Sequence, residues 1–151
     1  MRKHRALLTT AAMICVVSFL IAADAPTSQP TKTVTASGLT IIELGQNDSA
    51  STATAKSGDQ VWVDYTGKLT DGTKFDSSAD HPDQPIVFVL GKQPPAVIPG
   101  WEEGILGMKI GQKRHLIIPP SLAYGAAGNG PIPGNATIEF DVQLLGLKKG
   151  S

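Results

Sequence analysis

The chain has 151 residues, of which 41% are apolar and 17% charged, so it has enough apolar material for one folded domain and is not a wholly disordered chain. Thirteen Lys and Arg residues balance 13 Asp and Glu residues, and this lack of a basic surplus argues against nucleic-acid binding. The single cysteine, Cys15, excludes an internal disulfide, a cysteine-based zinc site and an iron–sulfur cluster.

The N-terminal region has the pattern of an export signal. Residues 1–23 contain three basic and no acidic residues and carry a charge of +3, whereas residues 24–151 contain ten basic and 13 acidic residues and carry −3. The 18 residues Ala6–Ala23 are uncharged and mostly apolar. They predict a signal peptide cleaved before Asp24, or an uncleaved membrane anchor, because this length just spans a bilayer. We expect an exported protein that is periplasmic or extracellular, or anchored at a membrane by residues 6–23.

A short linker and one folded unit follow. Residues 24–36 are rich in Pro, Thr, Ser and Ala and predict a flexible linker. Residues 37–151 have the length of one domain. Their alternating or apolar segments predict strands, in chain order Leu39–Leu44, Gln60–Leu69, Thr73–Asp76, Pro85–Leu90, Lys113–Ile118 and Thr137–Leu147. The Asp71-Gly72 pair predicts a hairpin turn.

One segment has the pattern of a helix. Pro99-Gly100 precedes Trp101–Met108, whose apolar residues at spacings of four and three share one face. Glu102 and Glu103 lie in the first turn, where acidic residues favour the helix dipole. One short helix with five or six strands predicts an α+β domain, a curved antiparallel β-sheet wrapped around the helix.

The sequence shows no arrangement typical of conventional catalysis. Of the three histidines, His81 lies in a polar loop, and the alternation around His115 predicts a solvent-facing strand residue. The glycine-rich stretch Gly125–Gly130 lacks the following Lys and Ser or Thr of a phosphate-binding loop, so it predicts turns. We therefore predict no metal site and no cofactor.

Aromatic and apolar residues recur at strand ends, at the helix start and near the glycine-rich loop. They are Tyr65, Phe75, Val97, Ile98, Trp101, Tyr124 and Phe140. Each is equally compatible with an ordinary core position. Trp101 is the most suggestive, because it lies where a loop enters a helix.

Several collinear motifs carry a family resemblance. They are Val63–Leu69, Asp71-Gly72, Lys74–Ser78, Val97–Glu103, Ala123–Gly128 and Ala136–Leu145. Between about Leu39 and Leu147 the chain resembles an FKBP-type peptidyl-prolyl cis–trans isomerase of an exported bacterial form. The resemblance implies the fold predicted above, with a proline pocket between the sheet and the helix.

The resemblance also assigns residues to that pocket. The implied substrate-binding residues are Phe75, Ile86, Val97, Ile98, Trp101, Ile132 and Phe140. The implied catalytic residues are Asp76, Tyr65 and Tyr124. Trp101 would form the floor under the prolyl ring, the Ile98 N–H would hold the substrate carbonyl, and the Tyr124 hydroxyl would donate a hydrogen bond. Asp76, paired with the Tyr65 hydroxyl, would face the rotating carbonyl without acting as a base, or would be a structural loop carboxylate.

The sequence departs from the family at the pocket rim. Residues 79–84 contain no arginine. Compared with the usual family sequence, the segment at residues 93–96 is longer and the segment at residues 129–131 is shorter. The resemblance implies, as the first expectation, an isomerase that acts on proline-containing polypeptides of the cell envelope. The alternatives are a proline-peptide binding module or holdase chaperone with little catalysis, and a structural domain on a membrane anchor. The resemblance further implies macrolide ligands, and the lack of a dimerisation helix predicts a monomer.

Overall fold

The computed structural model of the protein describes residues 30–46 and 51–150. The predicted signal peptide or anchor, residues 1–23, and the linker residues 24–29 lie outside this part of the chain. The described strands are β1 Thr31–Val34, β2 Thr40–Gln46, β3 Gln60–Leu69, β4 Lys74–Ser77, β5 Ile86–Val89, β6 Gln112–Ile118 and β7 Ile138–Lys148. Helix α1 is Pro99–Ile105, and two 3-10 helices span Ser78–Asp80 and Pro120–Leu122. None of the helices in residues 30–46 and 51–150 has the length and apolar character needed to cross a membrane.

The strands form one antiparallel sheet in the order β1-β2-β6-β7-β3-β4, with β5 also beside β3. One edge of β3 is shared by two partners. Gln60–Val63 pairs with β5, and Thr66–Lys68 pairs with β4. The chain between β4 and β5 therefore leaves the sheet at the middle of this edge, beside Tyr65, and lines the second of the two chambers described below.

Helix α1 approaches β6 closely because two of its residues are glycines. A Cβ atom at Gly104 would lie 2.6 Å from Leu116 Cδ1, and one at Gly100 would overlap the side chain of Ile118. Leu116 and Ile118 are fully buried, and Ile105 of the helix is buried with them. This contact fixes the helix on the sheet and so fixes the position of its first turn.

The sequence predicted the α+β class and the antiparallel sheet, and both are confirmed. The sheet has seven strands rather than five or six. The additional strand, Thr31–Val34, lies within residues 24–36, so the prediction of a flexible linker is wrong for these four residues. β-Branched residues favour strands, and here they pair with β2 in the register Thr31↔Glu43 to Val34↔Thr40.

Two smaller predictions also need correction. Helix α1 begins at Pro99, because proline fits a first helical turn where no N–H acceptor is needed, and it ends at Ile105, before Gly107 with its φ of 76°. His115 lies on the outer face of β6 with Lys113, as predicted, but it is only partly exposed. Its side chain is 22% exposed, and its Nδ1 lies 2.7 Å from Asp141 Oδ1, because Asp141 is its partner across the β6–β7 ladder.

Candidate functional site

A cavity of about 350 Å³ opens between the start of helix α1 and the sheet. Eight of the ten predicted site residues line it: Tyr65, Asp76, Ile86, Val97, Ile98, Trp101, Tyr124 and Phe140. Phe75 and Ile132 are not among the described lining residues. Phe75 packs edge-on against Phe140 at 5.5 Å, and Ile132 is buried in the core. Phe75 therefore supports the cavity wall from behind through Phe140.

The Trp101 indole forms the floor of the cavity. Only 4% of this residue is exposed, although it lines an open cavity. Its ring meets Tyr65 edge-on at 5.0 Å and Phe140 edge-on at 5.1 Å, and Phe88 lies 6.1 Å away. Such edge-to-face packing is favourable for aromatic quadrupoles. The predicted floor and two of its predicted walls are therefore held in a fixed geometry.

Ile98 is the residue before helix α1, with the extended conformation of an N-cap (φ −63°, ψ 150°). Its carbonyl accepts from the N–H groups of Trp101 at 2.9 Å and Glu102 at 3.3 Å. Within the described residues the N–H of Ile98 donates to no acceptor. Ile98 also lines the cavity, so the role that the resemblance implies for its N–H, binding the carbonyl of a peptide, stays a prediction.

The carboxylate of Asp76 is held by three donors. The Tyr65 hydroxyl donates to Oδ2 at 2.8 Å, the backbone N–H of Ser77 donates to Oδ1 at 2.9 Å, and His81 Nε2 lies 2.7 Å from Oδ1. The predicted Asp76–Tyr65 pair is thus present. Partial burial raises the pKa of Asp76, but the bonds from His81, Tyr65 and Ser77 outweigh it, and the net shift is downward. Burial and the neighbouring carboxylate raise the pKa of Tyr65, so its hydroxyl stays a donor.

His81 is the residue that sequence reasoning placed in a loop without a role. The 3-10 helix Ser78–Asp80 turns the chain back after β4, and the His81 N–H donates to the Ser78 carbonyl at 3.1 Å. This turn carries the imidazole to Asp76, five residues earlier. The available signal was the lack of an arginine in residues 79–84, since His81 is the residue there that can carry a positive charge.

Tyr124 is positioned by the glycine-rich loop that follows it. The Gly125 N–H donates to the Pro120 carbonyl at 2.9 Å, and the Gly128 N–H donates to the Tyr124 carbonyl at 3.2 Å. Gly128 has a φ of 68°, and a Cβ there would collide with the backbone around Ile132. The predicted turn role of this loop is confirmed, and its folding sets the Tyr124 ring against the cavity.

The rim of the cavity includes residues from the segment 93–96, which is longer here than in the usual family sequence. Pro95 and Ala96 line the cavity beside Val97. On the other side, a second chamber of about 360 Å³ adjoins the first. The two share Tyr65, Asp76 and Ile86. Of the altered segments, residues 93–96 therefore contribute Pro95 and Ala96 to the cavity itself, residues 79–84 contribute His81, Asp83 and Gln84 to the second chamber, and residues 129–131 are in neither described lining.

The sequence of the chain was compared with family models and with known proteins. Residues 51–145 match the family model for FKBP-type peptidyl-prolyl cis-trans isomerase. The chain is 51% identical over 104 residues to FK506-binding protein 2B of Rhizopus delemar, which covers 68% of this chain and 48% of that protein. It is 50% identical over 97 residues to the FKBP-type isomerase FkpA of Aeromonas hydrophila, covering 64% and 34%.

Structural comparison agrees with these matches. The fold resembles the crystal structure of FkpA from Escherichia coli with a TM-score of 0.69 and 38% identity, over 82% of this chain and 55% of that one. FK506-binding protein 2 of Dictyostelium discoideum is 52% identical over 97 residues, covering 64% of this chain and 71% of that protein. This chain thus spans about half the length of some of the relatives it matches.

Proposed function

This chain belongs to the FKBP-type peptidyl-prolyl cis–trans isomerase family, and we propose that it accelerates rotation about the peptide bond preceding proline in exported polypeptides. The observation that carries this proposal is the open cavity above the Trp101 indole, whose lining includes the Asp76–Tyr65 pair and Ile98, with an N–H that has no acceptor among the residues the structure describes. The size of the cavity suits one prolyl ring and its neighbouring amides.

The reaction explains why such a cavity suffices. The X-Pro amide is planar through resonance, with a barrier of about 18–20 kcal/mol, and uncatalysed exchange takes on the order of tens of seconds or more. Rotation breaks no covalent bond, so it needs no nucleophile and no proton transfer. It needs only an environment in which the twisted amide is bound better than the planar one.

The aromatic walls provide that environment. A twisted amide has lost its resonance and is less charge-separated than the planar amide, so water stabilises it less. Replacing water with the apolar surfaces of Trp101, Phe140 and Val97 therefore raises the free energy of the planar form more than that of the twisted form. The prolyl ring packs on the Trp101 floor, and this apolar contact keeps the reacting bond inside the cavity.

The polar groups around the cavity orient the substrate. The Ile98 N–H donates to a carbonyl of the bound peptide, and the Tyr124 hydroxyl donates a second hydrogen bond. Asp76 faces the rotating carbonyl, and the bond from Tyr65 fixes the direction of its carboxylate. Asp76 is ionised at neutral pH, as an Asp with an ordinary pKa is, and the downward shift of its pKa favours the ionised form further. It acts through its field rather than as a base.

An isomerisation assay tests the proposal. Residues 24–151 are incubated with a proline-containing chromogenic peptide, and the exchange rate is compared for wild type, Trp101→Leu and Asp76→Ala. Both variants are expected to be slower than wild type. Equal rates for all three proteins and the enzyme-free control would remove the catalytic role.

The altered rim favours a second candidate function, a proline-peptide binding module or holdase chaperone. Pro95 and Ala96 extend one side of the cavity. In this second function, the larger apolar rim binds extended polypeptides without accelerating the rotation of their X-Pro bonds. The same assay separates the two functions when it is combined with suppression of aggregation of an unfolded client. Suppression that persists in Asp76→Ala without isomerisation would favour the holdase.

We further propose that the protein acts outside the cytoplasm as a monomer and that macrolides occupy the same cavity. The export proposal is supported by the basic start and the apolar run Ala6–Ala23. The mature N-terminus, measured by mass spectrometry after cell fractionation, tests it. A full-length protein in the membrane fraction would identify residues 6–23 as an anchor.

A further inference from the structure

A groove of about 350 Å³ begins where the rim of the cavity above Trp101, the proline cavity, ends at Pro95. We call it the helix groove, because helix α1 forms one of its sides. Of its lining residues, only Pro95 also lines the proline cavity. The function proposed above therefore leaves the groove without a role. The lining residues that matter here are Gln93, Pro95, Pro99, Glu102, Glu103 and Leu106.

The helix groove owes one side to the segment of residues 93–96, which is longer here than in the usual family sequence. Gln93 and Pro95 of the lining come from this segment. The opposite side is helix α1, from Pro99 in its first turn to Leu106 at its C-cap. The groove is thus a feature of this chain rather than of the shared family pattern.

The surface of the helix groove is almost entirely apolar. Leu106 is 42% exposed and is one of the large apolar side chains that the described residues leave open to solvent. Pro95 and Pro99 are exposed as well. Apolar surface gathered in a concave site gains free energy when a ligand removes it from water, and such patches mark interaction sites.

The two carboxylates of the helix groove are already engaged. Glu102 Oε2 accepts from the Gly91 N–H at 2.6 Å, and its Oε1 is buried, so a cation in the groove does not reach it. Glu103 Oε2 accepts from the Ser37 hydroxyl at 2.7 Å. Neither side chain is therefore held ready for a basic group of a ligand.

The surroundings of the helix groove also favour an uncharged occupant. Lys56 and Lys92 are exposed, and each is adjacent in sequence to a lining residue. These two positive charges offset the carboxylates of Glu102 and Glu103. An aliphatic side chain therefore suits the groove better than an acidic or a basic one.

The proposed binding mode indicates which part of a client polypeptide reaches the groove. Asp76 faces the rotating carbonyl, which belongs to the residue before proline, so the Ile98 N–H is left for the carbonyl of the prolyl residue itself. The chain after the proline then passes Ile98 toward Pro95. An α-helix rises about 1.5 Å per residue, so Leu106 lies about 7.5 Å along the axis from Trp101. An extended chain covers this distance in two to three residues.

We propose that the helix groove binds a large aliphatic side chain at the second or third position after the substrate proline. The proposal rests on the proposed function, because it takes the occupant of the proline cavity to be a client polypeptide. The contact lies outside the rotating bond and is the same for the planar and the twisted amide. It therefore lowers KM and leaves kcat unchanged.

The test uses proline peptides that differ only in Leu, Ser or Lys at the second or the third position after proline. Both kcat and KM are measured for the protein used in the isomerisation assay. At one of the two positions the Leu peptide should have a KM about fivefold below that of the Ser peptide, as partial burial of a leucine side chain implies. Their kcat values should be equal. The Lys peptide should show no such gain, which separates apolar contact from attraction by carboxylates.

Leu106→Ser removes the apolar end of the helix groove, so the advantage of the Leu peptide over the Ser peptide should fall below about twofold. Leu145→Ser is the matched control. Leu145 is 41% exposed and lies on β7, outside the described linings of the cavity and the groove, so the fivefold advantage should persist. If Leu106→Ser does not fold, Leu106→Ala gives the same comparison. An undiminished advantage in the Leu106 variant would overturn the proposal.

The peptide series also separates failure of this proposal from failure of the proposed function. Equal KM values for Leu and Ser at both positions, or a lower KM for Lys than for Leu, would overturn the proposal while normal turnover leaves the proposed function intact. Equal KM values together with a dimer that Leu106→Ser dissociates would assign the groove to a second copy of the chain. Without turnover of any peptide the proposed function fails, and dissociation constants from tryptophan fluorescence decide. Equal constants for the Leu and Ser peptides then overturn the proposal.

Discussion

The Tyr65 hydroxyl donates to Asp76 Oδ2 at 2.8 Å, and this bond joins β3 to β4 at the wall of the proline cavity. Asp76 pairs with Gly67, which lies two residues after Tyr65 on the same face of β3, so the strand register makes Tyr65 and Asp76 diagonal neighbours. The same carboxylate accepts from Ser77 and His81 through its other oxygen. Asp76 is therefore oriented by groups from three consecutive parts of the chain.

The first prediction concerns this pair. Tyr65→Phe removes one donor to Asp76 and keeps the ring that packs on Trp101, so kcat/KM should fall about tenfold, the equivalent of about 1.4 kcal/mol. Asp76→Asn should lower kcat/KM at least as much, because it removes the charge itself. The measurement is the isomerisation rate. Wild-type activity in both variants would mean that Asp76 is a structural carboxylate.

The second prediction is the pH dependence of stability that Asp76 produces. A carboxyl whose folded pKa lies below its unfolded value of about 3.9 stabilises the fold above that value. The contribution is lost as pH falls through the folded pKa. The Tm difference between wild type and Asp76→Asn should therefore be larger at pH 6 than at pH 3. A difference that grows toward acid would contradict the bonds assigned to His81, Tyr65 and Ser77.

The third prediction separates the two tryptophans. Trp101→Leu removes the aromatic floor of the cavity. The protein then loses part of its preferential binding of the twisted amide over the planar one, so kcat/KM should fall at least about tenfold. The loss of the buried ring should also cost about 2 kcal/mol of stability. Trp62→Leu is the matched control. Trp62 is half-buried and lies on β3 opposite Gly146, outside the cavity lining.

If Trp101→Leu does not fold, Trp101→Phe is measured in its place, since we expect this milder substitution to leave the protein folded. It retains an aromatic ring of smaller area, so its kcat/KM should lie between those of wild type and Trp101→Leu. Activity should be unchanged in Trp62→Leu. An equal loss in the two Leu variants would mean that the effect arises from global destabilisation rather than from the floor.

The elements that the sequence predicted well are those whose own side chains alternate. β3 was predicted with its observed bounds, because Val61 and Val63 face the core while Trp62 and Asp64 do not. β7 was predicted to within one residue at each end, because its buried residues alternate in the same way. In both strands the burial pattern is a property of the segment and can be read without knowing its neighbours.

The features that escaped prediction depend on contacts made elsewhere in the chain. All four residues of β1 are exposed, so no alternation marked it, and only its pairing with β2 reveals it. The contact of His81 with Asp76 depends on a 3-10 turn of three residues, for which no periodic signal exists. The second chamber likewise arises because β4 and β5 share one edge of β3.

The fourth prediction tests the packing behind the cavity. A Cβ at Gly67 would lie 2.6 Å from Phe75 and 2.7 Å from Phe140, closer than real Cβ contacts. Gly67→Ala should therefore cost about 1–3 kcal/mol through overpacking and lower kcat/KM by displacing the Phe140 ring. Gly146→Ala is the control, since its Cβ would meet Trp62 at an ordinary 3.7 Å. Removing a strand glycine there should stabilise the fold by about 0.5–1 kcal/mol in urea unfolding.

The fifth prediction concerns the buried guanidinium that holds the end of helix α1. Arg114 donates to the carbonyls of Gly104 at 2.8 Å and Leu106 at 2.9 Å, and to Glu43 at 3.1 Å. Burial lowers the pKa of Arg114, although Glu43 opposes the shift. Arg114→Met leaves both carbonyls without their donor and should cost about 2–4 kcal/mol.

The ion pair itself should matter less than the two carbonyls. Glu43 has 42% of its side chain exposed, and an exposed pair contributes about 0–1 kcal/mol, so Glu43→Gln should cost less than about 1 kcal/mol. Lys113→Met, at the neighbouring exposed position, should stay within about 0.5 kcal/mol of wild type. If Glu43→Gln were as damaging as Arg114→Met, the charge pair would dominate instead. Because the first turn of this helix positions Trp101, Arg114→Met should also lower kcat/KM, whereas Lys113→Met should leave it unchanged.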